Sequence, residues 1–406
     1  MSEIYDITVI GAGIIGSAVA LTILEKHPQV KVLIIDKESE SAMHQTGRNS
    51  GVIHSGIYYK PGSLKARTCQ EGIRLLHEFC ARNAVDFEIT GKVIVATVKE
   101  EIPLLENLYN RGCENKLKGL KLISKEEVLE FEPHVIALKG LHVPITGIIN
   151  YKKVVDKYIE LFKTLGGTVK FNCKLLEVIN DNRSIILKTS CGMIKTKNII
   201  NCAGLYSDSV ASMCGVKLDY RIIPFRGEYY KLKKEKHYLV RNLVYPVPNP
   251  EFPFLGVHFT RMLDGDREVG PNAVLALKRE GYSKISFSLK EALSTVSYFP
   301  FWKMASQYWK MGFNEMYMSF YKKAYVKEIN KMIPEITVKD LIPAQAGVRA
   351  QALDNTGKLL DDFKVIHNKN MIHVLNAPSP AATASLAIAR KIVSIAGERI
   401  IAECIS

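Results

Sequence analysis

Three glycines near the start of the sequence stand in the spacing Gly-x-Gly-x-x-Gly, directly after a short apolar run at residues 6–10. They are Gly11, Gly13 and Gly16, and a second apolar run downstream ends in Asp36. A strand, a glycine turn, a helix of small residues, a second strand and a terminal acid are together typical of a dinucleotide-binding βαβ unit. The pattern therefore predicts that the chain begins with a parallel sheet.

Each part of this pattern has a physical role. Gly11 permits the tight turn, Gly13 lets backbone N–H groups approach a pyrophosphate, and Gly16 allows close helix packing. The helix predicted at 17–25 directs the positive end of its dipole at that pyrophosphate, and Asp36 can accept hydrogen bonds from both ribose hydroxyls. A strand-turn-helix that only packs would not need this acid.

The region after residue 36 indicates which dinucleotide is bound. A polar loop with several glycines follows at 44–59, whereas an NAD-binding domain would continue through alternating strands and helices. The next elements of the sheet are predicted far along the chain. They are a helix at 151–165 and strands at 169–171, 175–179, 184–189 and 198–202. A turn at 180–182 joins the strands at 175–179 and 184–189. A sheet built from distant segments favours FAD.

The predicted fold class is α/β, with a discontinuous Rossmann-like FAD-binding domain and an α+β substrate domain that has a mixed or antiparallel sheet. We predict the FAD-binding domain at 1–80, 150–220 and 335–406. The substrate domain then occupies 81–149 and 221–334. The length of 406 residues suits two such domains.

Composition narrows the possible partners and compartment. Lys and Arg number 55 against 41 Asp and Glu, and this net charge of +14 favours an anionic small substrate, an acidic lipid surface or nucleic acid. The eight cysteines are scattered without metal-ligand spacing, which predicts reduced thiols, a cytoplasmic location and no metal site. Because every apolar stretch is short or interrupted, no membrane-spanning helix or signal peptide is expected.

A segment of small residues near the C-terminus is the second candidate part of a cofactor site. An apolar run at 371–375 precedes Ser379 and Pro380, which are respectively a good N-cap and a good first helical residue. A helix is predicted at 384–396. Its start would present free backbone N–H groups and a positive dipole end to the negative pyrimidine end of a reduced flavin.

Several motifs resemble the L-2-hydroxyglutarate dehydrogenase family, which belongs to the D-amino-acid-oxidase-like FAD oxidoreductases. They span essentially the whole chain, at 44–66, 225–230, 255–261, 270–273, 278–282, 347–349 and 376–385. One departure is Arg48, since the family motif has histidine in Thr-Gly-His-Asn-Ser-Gly. The resemblance implies FAD-dependent oxidation of L-2-hydroxyglutarate, a dicarboxylate, to 2-oxoglutarate, with electrons leaving to an acceptor other than NAD, expected to be a membrane quinone.

This chemistry requires groups that hold a dicarboxylate and a base that takes the hydroxyl proton. For the carboxylates the resemblance favours Arg349 and Arg226, because a guanidinium meets both carboxylate oxygens, with Lys278 and Arg279 as weaker candidates. For the base, His54 and His258 both remain open, since histidine titrates near neutrality. We expect Tyr58 and Tyr59 to shape the pocket.

The predicted cofactor-binding residues come from the glycine turn, the long loop, later strand ends and the C-terminal segment. They are Gly11, Gly13, Ile14, Gly16, Asp36, Lys37, Thr46, Asn49, Ser50, Gly51, Leu175, Ala203, Gly204, Gly347, Ser379, Pro380, Ala381, Ala382 and Thr383.

Residues 298–325 are unusually aromatic and contain both tryptophans of the chain. Apolar residues three or four apart form a helical stripe there, at Trp302, Ala305, Trp309, Phe313, Met316, Phe320 and Ala324, and lysines lie among or just beyond them. This pattern fits shallow insertion at an anionic membrane surface, and thus a peripheral position on the inner face of the cell membrane. The alternative is a helix pair whose stripe lies in the core of the substrate domain.

Two other functions remain alternatives. One is an amino-acid or amine oxidase of the same fold that uses O2 directly. The other is a basic flavoprotein without turnover, although the dispersed lysines make nucleic acid an unfavourable partner. The oligomeric state is not predicted.

Overall fold

A computed structural model describes residues 4–181, 184–250 and 254–401, with the backbone alone at 398 and 399. Its helices are α1 (Ile14–Lys26), α2 (Leu64–Arg82), α3 (Ile102–Glu114), α4 (Lys125–Phe131), α5 (Tyr151–Thr164), α6 (Ser207–Met213), α7 (Leu289–Val296), α8 (Phe299–Phe320), α9 (Lys322–Ile329) and α10 (Ser385–Ala396). Its strands are β1 (Ile4–Ile10), β2 (Val32–Ile35), β3 (Val52–Ile53), β4 (Phe87–Ile89), β5 (Lys92–Ala96), β6 (Lys121–Ser124), β7 (Lys139–Val143), β8 (Gly147–Ile149), β9 (Thr168–Lys170), β10 (Leu175–Asp181), β11 (Ser184–Thr189), β12 (Gly192–Asn201), β13 (Tyr220–Gly227), β14 (Tyr230–Leu232), β15 (Leu243–Pro246), β16 (His258–Arg261), β17 (Arg267–Gly270), β18 (Val274–Leu275), β19 (Leu341–Pro343), β20 (Gly347–Asp354), β21 (Lys364–Asn368) and β22 (Met371–Asn376).

The first sheet contains the βαβ unit that the glycine spacing predicts. Its order is β10-β11-β12-β1-β2-β9, and β22 followed by β21 lies beside the second half of β12. The strands β9, β2, β1, β12 and β22 run parallel. They are apolar because both of their faces are covered, and Ile7, Val9 and Ile34 have no exposed surface. The predicted α/β class is confirmed.

One face of this sheet is covered by helices that lie far apart in sequence. Val19 of α1, Tyr158 of α5 and Ile392 of α10 belong to one buried apolar cluster. The Tyr158 hydroxyl lies 3.2 Å from the Ser385 hydroxyl at the start of α10. Burial of these apolar faces, rather than chain proximity, therefore holds the discontinuous unit together.

The second sheet is mixed, as the sequence predicted for the substrate domain. Its order is β19-β14-β17-β16-β15-β5-β7-β6, with β15 and β5 parallel and the other pairs antiparallel. Tyr325 and Ile329 of α9 pack on one of its apolar clusters and Leu105 of α3 on another. The strand β19 joins this sheet although the predicted FAD-binding range 335–406 includes it, and the domain bounds otherwise remain predictions.

A long antiparallel ribbon of β13 and β20 carries two of the predicted substrate arginines. Phe225 pairs with Arg349, and Arg226 pairs with Val348. Directly paired residues share a face, whereas successive residues on a strand point to opposite faces. Arg226 and Arg349 therefore lie on opposite faces of the ribbon.

The helix predicted at 384–396 is α10, but Ser379 and Pro380 do not have the capping roles predicted for them. Residues 379–384 form turns, and α10 starts at Ser385, so Ser379 is not its N-cap. The predicted cap was wrong because residues 379–384 are bent toward the long loop. Of the predicted turn at 180–182, positions 180 and 181 belong to β10, and position 182 lies outside the described residues.

The prediction that all cysteines are reduced is wrong for one pair. Cys173 and Cys191 form a disulfide with their Cα atoms 5.3 Å apart. Cysteine spacing does not reveal this pair, because the contact depends on the connection before β10 lying beside the turn between β11 and β12. Within the described ranges, no helix has the length and apolar character required to cross a membrane.

Candidate active site

The glycine turn has the geometry needed for a phosphate group. Gly11 has φ +106°, and a Cβ on it would lie 2.5 Å from a backbone carbonyl oxygen at the end of β12. A Cβ on Gly16 would collide with the carbonyl oxygen of Gly11. At Gly13, by contrast, the nearest atom to such a Cβ is the Thr46 hydroxyl at 3.4 Å. The first and third glycines are thus required by the fold, whereas Gly13 leaves a cradle that a Cβ would partly fill.

The start of α1 offers backbone donors beside this cradle. Gly13 is the N-cap of α1 and has no side chain that could accept hydrogen bonds from these backbone N–H groups. The Ile14 N–H donates to the Thr46 hydroxyl at 3.0 Å. The Asp36 carboxylate lies at the same turn, where it accepts from the backbone N–H groups of Ala12 at 2.6 Å and Glu38 at 2.9 Å. These groups fit the pyrophosphate and ribose of FAD.

Further predicted cofactor residues lie at neighbouring strand ends. Leu175 is buried at the start of β10, two residues after Cys173, whose N–H donates to the Asp36 carbonyl at 2.7 Å. Ala203 and Gly204 follow β12, and Gly204 has φ +53°. The structure therefore brings them near the glycine turn, while their contacts with FAD remain a prediction.

Lys37 belongs to an ion-pair network. Its ammonium pairs with Glu38, lies 2.6 Å from Glu280 Oε1 and lies 3.0 Å from His44 Nε2. Glu38, His44 and Glu280 are close enough to resemble a metal site. Because the lysine ammonium contacts all three side chains, we interpret the group as charge pairing.

The long loop and the C-terminal segment meet, although more than 300 residues separate them. The Thr383 hydroxyl accepts from the His54 N–H at 3.1 Å and bonds the Tyr151 hydroxyl at 2.8 Å. The Tyr59 and Ser379 hydroxyls are 3.4 Å apart. These contacts explain the turns before α10, and the same two segments carry other predicted cofactor residues, namely Asn49, Ser50, Gly51, Pro380, Ala381 and Ala382.

Arg48, the departure from the family motif, does not project freely. Its guanidinium lies 3.9 Å from the centre of the Tyr282 ring, and its Nε donates to the Met43 carbonyl at 3.0 Å. The Arg48 carbonyl lies so close to Gly347 that a Cβ there would collide with it. Gly347 is therefore required for the approach of the long loop to β20.

Beside these segments, a recess is lined by basic and aromatic side chains. His54 and Tyr58 come from the long loop, Lys92 from β5, and His258 and Tyr245 from the second sheet. Lys92 Nζ donates to the Tyr58 hydroxyl at 3.3 Å, and the rings of Tyr245 and His258 stack 4.0 Å apart. Burial and the charge of Lys92 lower the pKa of His54 to about 3.

His258 is held as a neutral ring with one free acceptor. Its Nδ1 lies 2.9 Å from the Gly256 carbonyl oxygen, so Nδ1 carries the hydrogen and Nε2 keeps its lone pair. Burial, reinforced by the charges of Arg349 and Lys92, lowers its pKa to about 3. Both predicted bases therefore lie in the recess and are unprotonated near neutral pH.

Arg349 is a half-buried cation in the same region. Burial lowers its pKa, while the nearby Tyr229 and Glu315 raise it. Its guanidinium stacks on Phe254 at 5.1 Å. Within the described residues, no carboxylate lies within 4.0 Å of it. Burial also raises the pKa of Glu315 to about 7, so this neighbour is only partly charged near neutral pH. Arg349 thus remains available to bind an anion.

The other predicted carboxylate ligands have structural partners instead. Arg226 donates to Glu228 Oε1 from Nε at 3.1 Å and Nη2 at 2.8 Å. Arg279 makes a two-pronged ion pair with Asp208. Each guanidinium therefore already pairs with a carboxylate inside the protein, and a role of either arginine in substrate binding remains a prediction. Lys278 is half-buried, and its role remains a prediction.

Sequence reasoning missed Lys92, Tyr229, Tyr245 and Glu315. Lys92 opens an apolar strand and resembles an ordinary charged strand end, and Glu315 stands among aromatic residues assigned to a membrane surface. The pattern of either segment alone does not reveal that these side chains point to one place.

Comparisons with known proteins identify the family of this chain. The family described as FAD dependent oxidoreductase matches residues 6–395. The chain is 54% identical over 385 residues to the L-2-hydroxyglutarate dehydrogenase of Indibacter alkaliphilus, covering 95% of this chain and 96% of that protein. It is 44% identical to the mitochondrial L-2-hydroxyglutarate dehydrogenase of Homo sapiens, covering 97% and 89%.

Solved structures show the same fold. The dithionite-reduced L-alpha-glycerophosphate oxidase of Mycoplasma pneumoniae with FAD bound has a TM-score of 0.78 at 24% identity, covering 97% of this chain and 94% of that one. The glycine oxidase of Geobacillus kaustophilus has a TM-score of 0.72 at 13% identity, covering 98% and 96%.

Proposed function

This chain belongs to the FAD-dependent oxidoreductases and, within them, to the L-2-hydroxyglutarate dehydrogenases, and we propose that it oxidises L-2-hydroxyglutarate to 2-oxoglutarate and passes the electrons to a membrane quinone. Its cofactor is FAD. The observation that supports the substrate is the recess in which Arg349 lies near His258, an imidazole with a free acceptor nitrogen. A carboxylate and an adjacent hydroxyl need this combination of groups.

Bound FAD would supply the hydride acceptor, held by the glycine turn, Asp36 and the two converging loop segments. The side chains of the recess have two tasks. Arg349 binds and orients a carboxylate, so that the carbon carrying the hydroxyl group is placed reproducibly. His258 Nε2, or the His54 ring, accepts the hydroxyl proton.

The low pKa of the two histidines is a property of the protein without substrate. Cationic neighbours help to keep both rings unprotonated. A bound dianion compensates the charges of these neighbours and favours the protonated imidazole. Binding of the substrate thus strengthens the base at the moment when it must accept a proton.

Anaerobic stopped-flow measurement of flavin bleaching tests this proposal. L-2-hydroxyglutarate should bleach the flavin, whereas D-2-hydroxyglutarate, L-lactate and glycerol 3-phosphate should do so far more slowly. His54→Asn and His258→Asn identify the base, since loss of proton transfer slows reduction by about 10²–10⁴-fold. His77→Asn is the control, because His77 stacks on Phe87 away from this recess.

Two results would contradict the proposal. One is a flavin that L-2-hydroxyglutarate leaves oxidised. The other is stoichiometric peroxide formation from an amino acid, which would instead support the oxidase alternative.

The proposal of a membrane acceptor is supported by the exposed face of α8. The side chains of Phe299, Trp309 and Phe313 are 80%, 62% and 72% exposed. The neighbouring exposed apolar residues are Ile285, Phe287, Leu289, Leu293, Trp302, Met316, Tyr317, Phe320 and Tyr321. Most side chains of the apolar stripe predicted within 298–325 are therefore exposed and do not lie in the core of the substrate domain. Lysines at 303, 310, 322 and 323 flank it, which suits anionic lipid.

A vesicle assay tests the membrane contact. The double variant Trp309→Ser and Phe313→Ser should reduce cosedimentation with anionic vesicles by at least about tenfold, since each buried aromatic ring contributes roughly 1.5–3 kcal/mol. Met193→Ser is the matched control. Met193 is also exposed, at 71%, but it lies on β12 of the first sheet and not on α8. Unchanged sedimentation of the double variant would refute the contact. Reduction of a soluble quinone analogue under anaerobic conditions tests the acceptor separately.

A further inference from the structure

Lys92 differs from the other buried cations of the molecule. Among the described residues, four Lys or Arg side chains are buried, namely Lys65, Lys92, Arg226 and Arg279. Lys65 pairs with Asp361 at 2.7 Å, Arg226 with Glu228 at 2.8 Å, and Arg279 with Asp208. Lys92 is 2% exposed and makes no such ion pair in the described part of the chain. A buried cation without a counterion is costly, so its presence calls for an explanation.

The surroundings of the Lys92 ammonium group are aromatic and weakly polar. Its Nζ lies 4.5 Å from the centre of the Tyr58 ring and 4.7 Å from that of Tyr245, and its hydrogen bond is to the Tyr58 hydroxyl. Such rings stabilise a cation only partly. A free ammonium has three donors, and the single hydrogen bond to Tyr58 leaves donors for a ligand.

Lys92 lies in the same recess as the predicted base and the arginine. Tyr245, which contacts the Lys92 ammonium, stacks on His258 at 4.0 Å. The pKa of His258 is lowered by the charges of both Arg349 and Lys92. The imidazole therefore lies within the field of two cations that have no carboxylate partner among the described residues.

We propose that Lys92 binds the second carboxylate of the dicarboxylate substrate while Arg349 binds the first, and that Lys92 thereby selects dicarboxylates over monocarboxylates. This inference rests on the proposed function. The predicted candidates Arg226 and Arg279 suit this role less, because each guanidinium already has a carboxylate partner, Glu228 and Asp208 respectively. The aromatic side chains exclude water from the Lys92 ammonium. A carboxylate that binds there replaces this lost hydration with an ion pair and therefore stabilises the buried charge.

Binding should also take up a proton. Burial lowers the pKa of Lys92 to about 7, so the amine is only partly protonated in the free protein at pH 7. A carboxylate beside it favours the charged form, and roughly half a proton is taken up at pH 7 when a dicarboxylate binds.

The test compares Lys92→Met with the wild-type holoenzyme in the binding of 2-oxoglutarate and of 2-oxobutyrate, which lacks the second carboxylate. Isothermal titration in two buffers of different ionisation enthalpy gives both affinity and proton uptake. We expect Lys92→Met to raise the Kd for 2-oxoglutarate at least 30-fold and the Kd for 2-oxobutyrate less than 3-fold. The variant should also abolish the proton uptake that accompanies binding. Lys139→Met is the control, since Lys139 belongs to the same sheet but pairs with Glu106 at the surface.

An equal loss of affinity for both ligands, or no loss of affinity for either, would overturn the inference. The melting temperature of Lys92→Met should equal or exceed that of the wild type, because methionine fits an apolar site, and a lower value would contradict the unpaired state of Lys92. Wild-type flavin bleaching by L-2-hydroxyglutarate, measured in parallel, reports failure of the proposed function independently of the result for Lys92.

Discussion

Replacement of Gly13 by alanine separates binding of the cofactor from stability of the fold. Gly13 has φ −77° and ψ 179°, which alanine adopts without strain, and its Cβ would make only an ordinary contact with the Thr46 hydroxyl at 3.4 Å. The apoprotein should therefore keep or gain stability, by about 0.4–1 kcal/mol. The same methyl group keeps the pyrophosphate away from the backbone N–H donors. Loss of one hydrogen bond to a charged group costs about 1.5–3 kcal/mol, which is roughly a 10–150-fold rise in Kd for FAD.

Gly11→Ala and Gly16→Ala are the contrasting variants. Each new Cβ would meet a backbone carbonyl oxygen, and Gly11 also has φ +106°, so we expect both to destabilise the apoprotein. Thermal unfolding of the apoprotein measures stability, and titration with FAD, followed by its fluorescence, measures affinity. Normal FAD binding by Gly13→Ala, or a loss of stability matching that of Gly16→Ala, would refute the reasoning.

Three further outcomes follow from buried charges. Asp208→Asn should lower the free energy of unfolding by about 3–5 kcal/mol in urea titrations, because Arg279 is left buried without its counterion. Arg349→Met should leave thermal stability unchanged while reducing kcat/KM for L-2-hydroxyglutarate at least about 100-fold, and an equally large loss of stability would indicate a structural role instead. His54 and His258 have pKa values of about 3 in the folded protein, below the ordinary 6.5. Between pH 3 and 6.5 the unfolded chain therefore binds more protons than the folded one. The free energy of unfolding should fall as the pH falls from about 6.5 toward 3. The slope is at most about 1.4 kcal/mol per pH unit for each histidine, and His258→Asn should reduce it in denaturation curves measured from pH 7 to 4.

The nucleotide-binding unit could be predicted because its requirements are local. The spacing of Gly11, Gly13 and Gly16 determines a turn within a few residues, and Asp36 follows at the end of the next strand. Prediction failed at Ser379, where good capping chemistry was present but tertiary contacts prevailed. The hydrogen bonds of Thr383 to His54 and Tyr151 bend residues 379–384, so Ser379 lies outside α10 and does not cap it.

The substrate side of the site was harder to predict because it depends on register and on burial. Arg226 and Arg349 appear equivalent in sequence, yet the pairing of β13 with β20 places them on opposite faces. Glu228, two residues after Arg226, was already available to pair with it. Lys92 has no sequence signal at all, because its importance depends on the aromatic residues that surround it.

The position of β22 in the first sheet has a consequence for the synthesis of this protein on the ribosome. The glycine turn is made first, but β12 follows only at residues 192–201 and β22 at 371–376. Until β12 emerges, the edge of β1 opposite β2 has no partner, and until β22 emerges, the second half of β12 lacks its neighbour; each open edge invites contact with other nascent chains. We therefore expect the nascent chain to depend on chaperones and to acquire its yellow colour only after most of its length has left the exit tunnel.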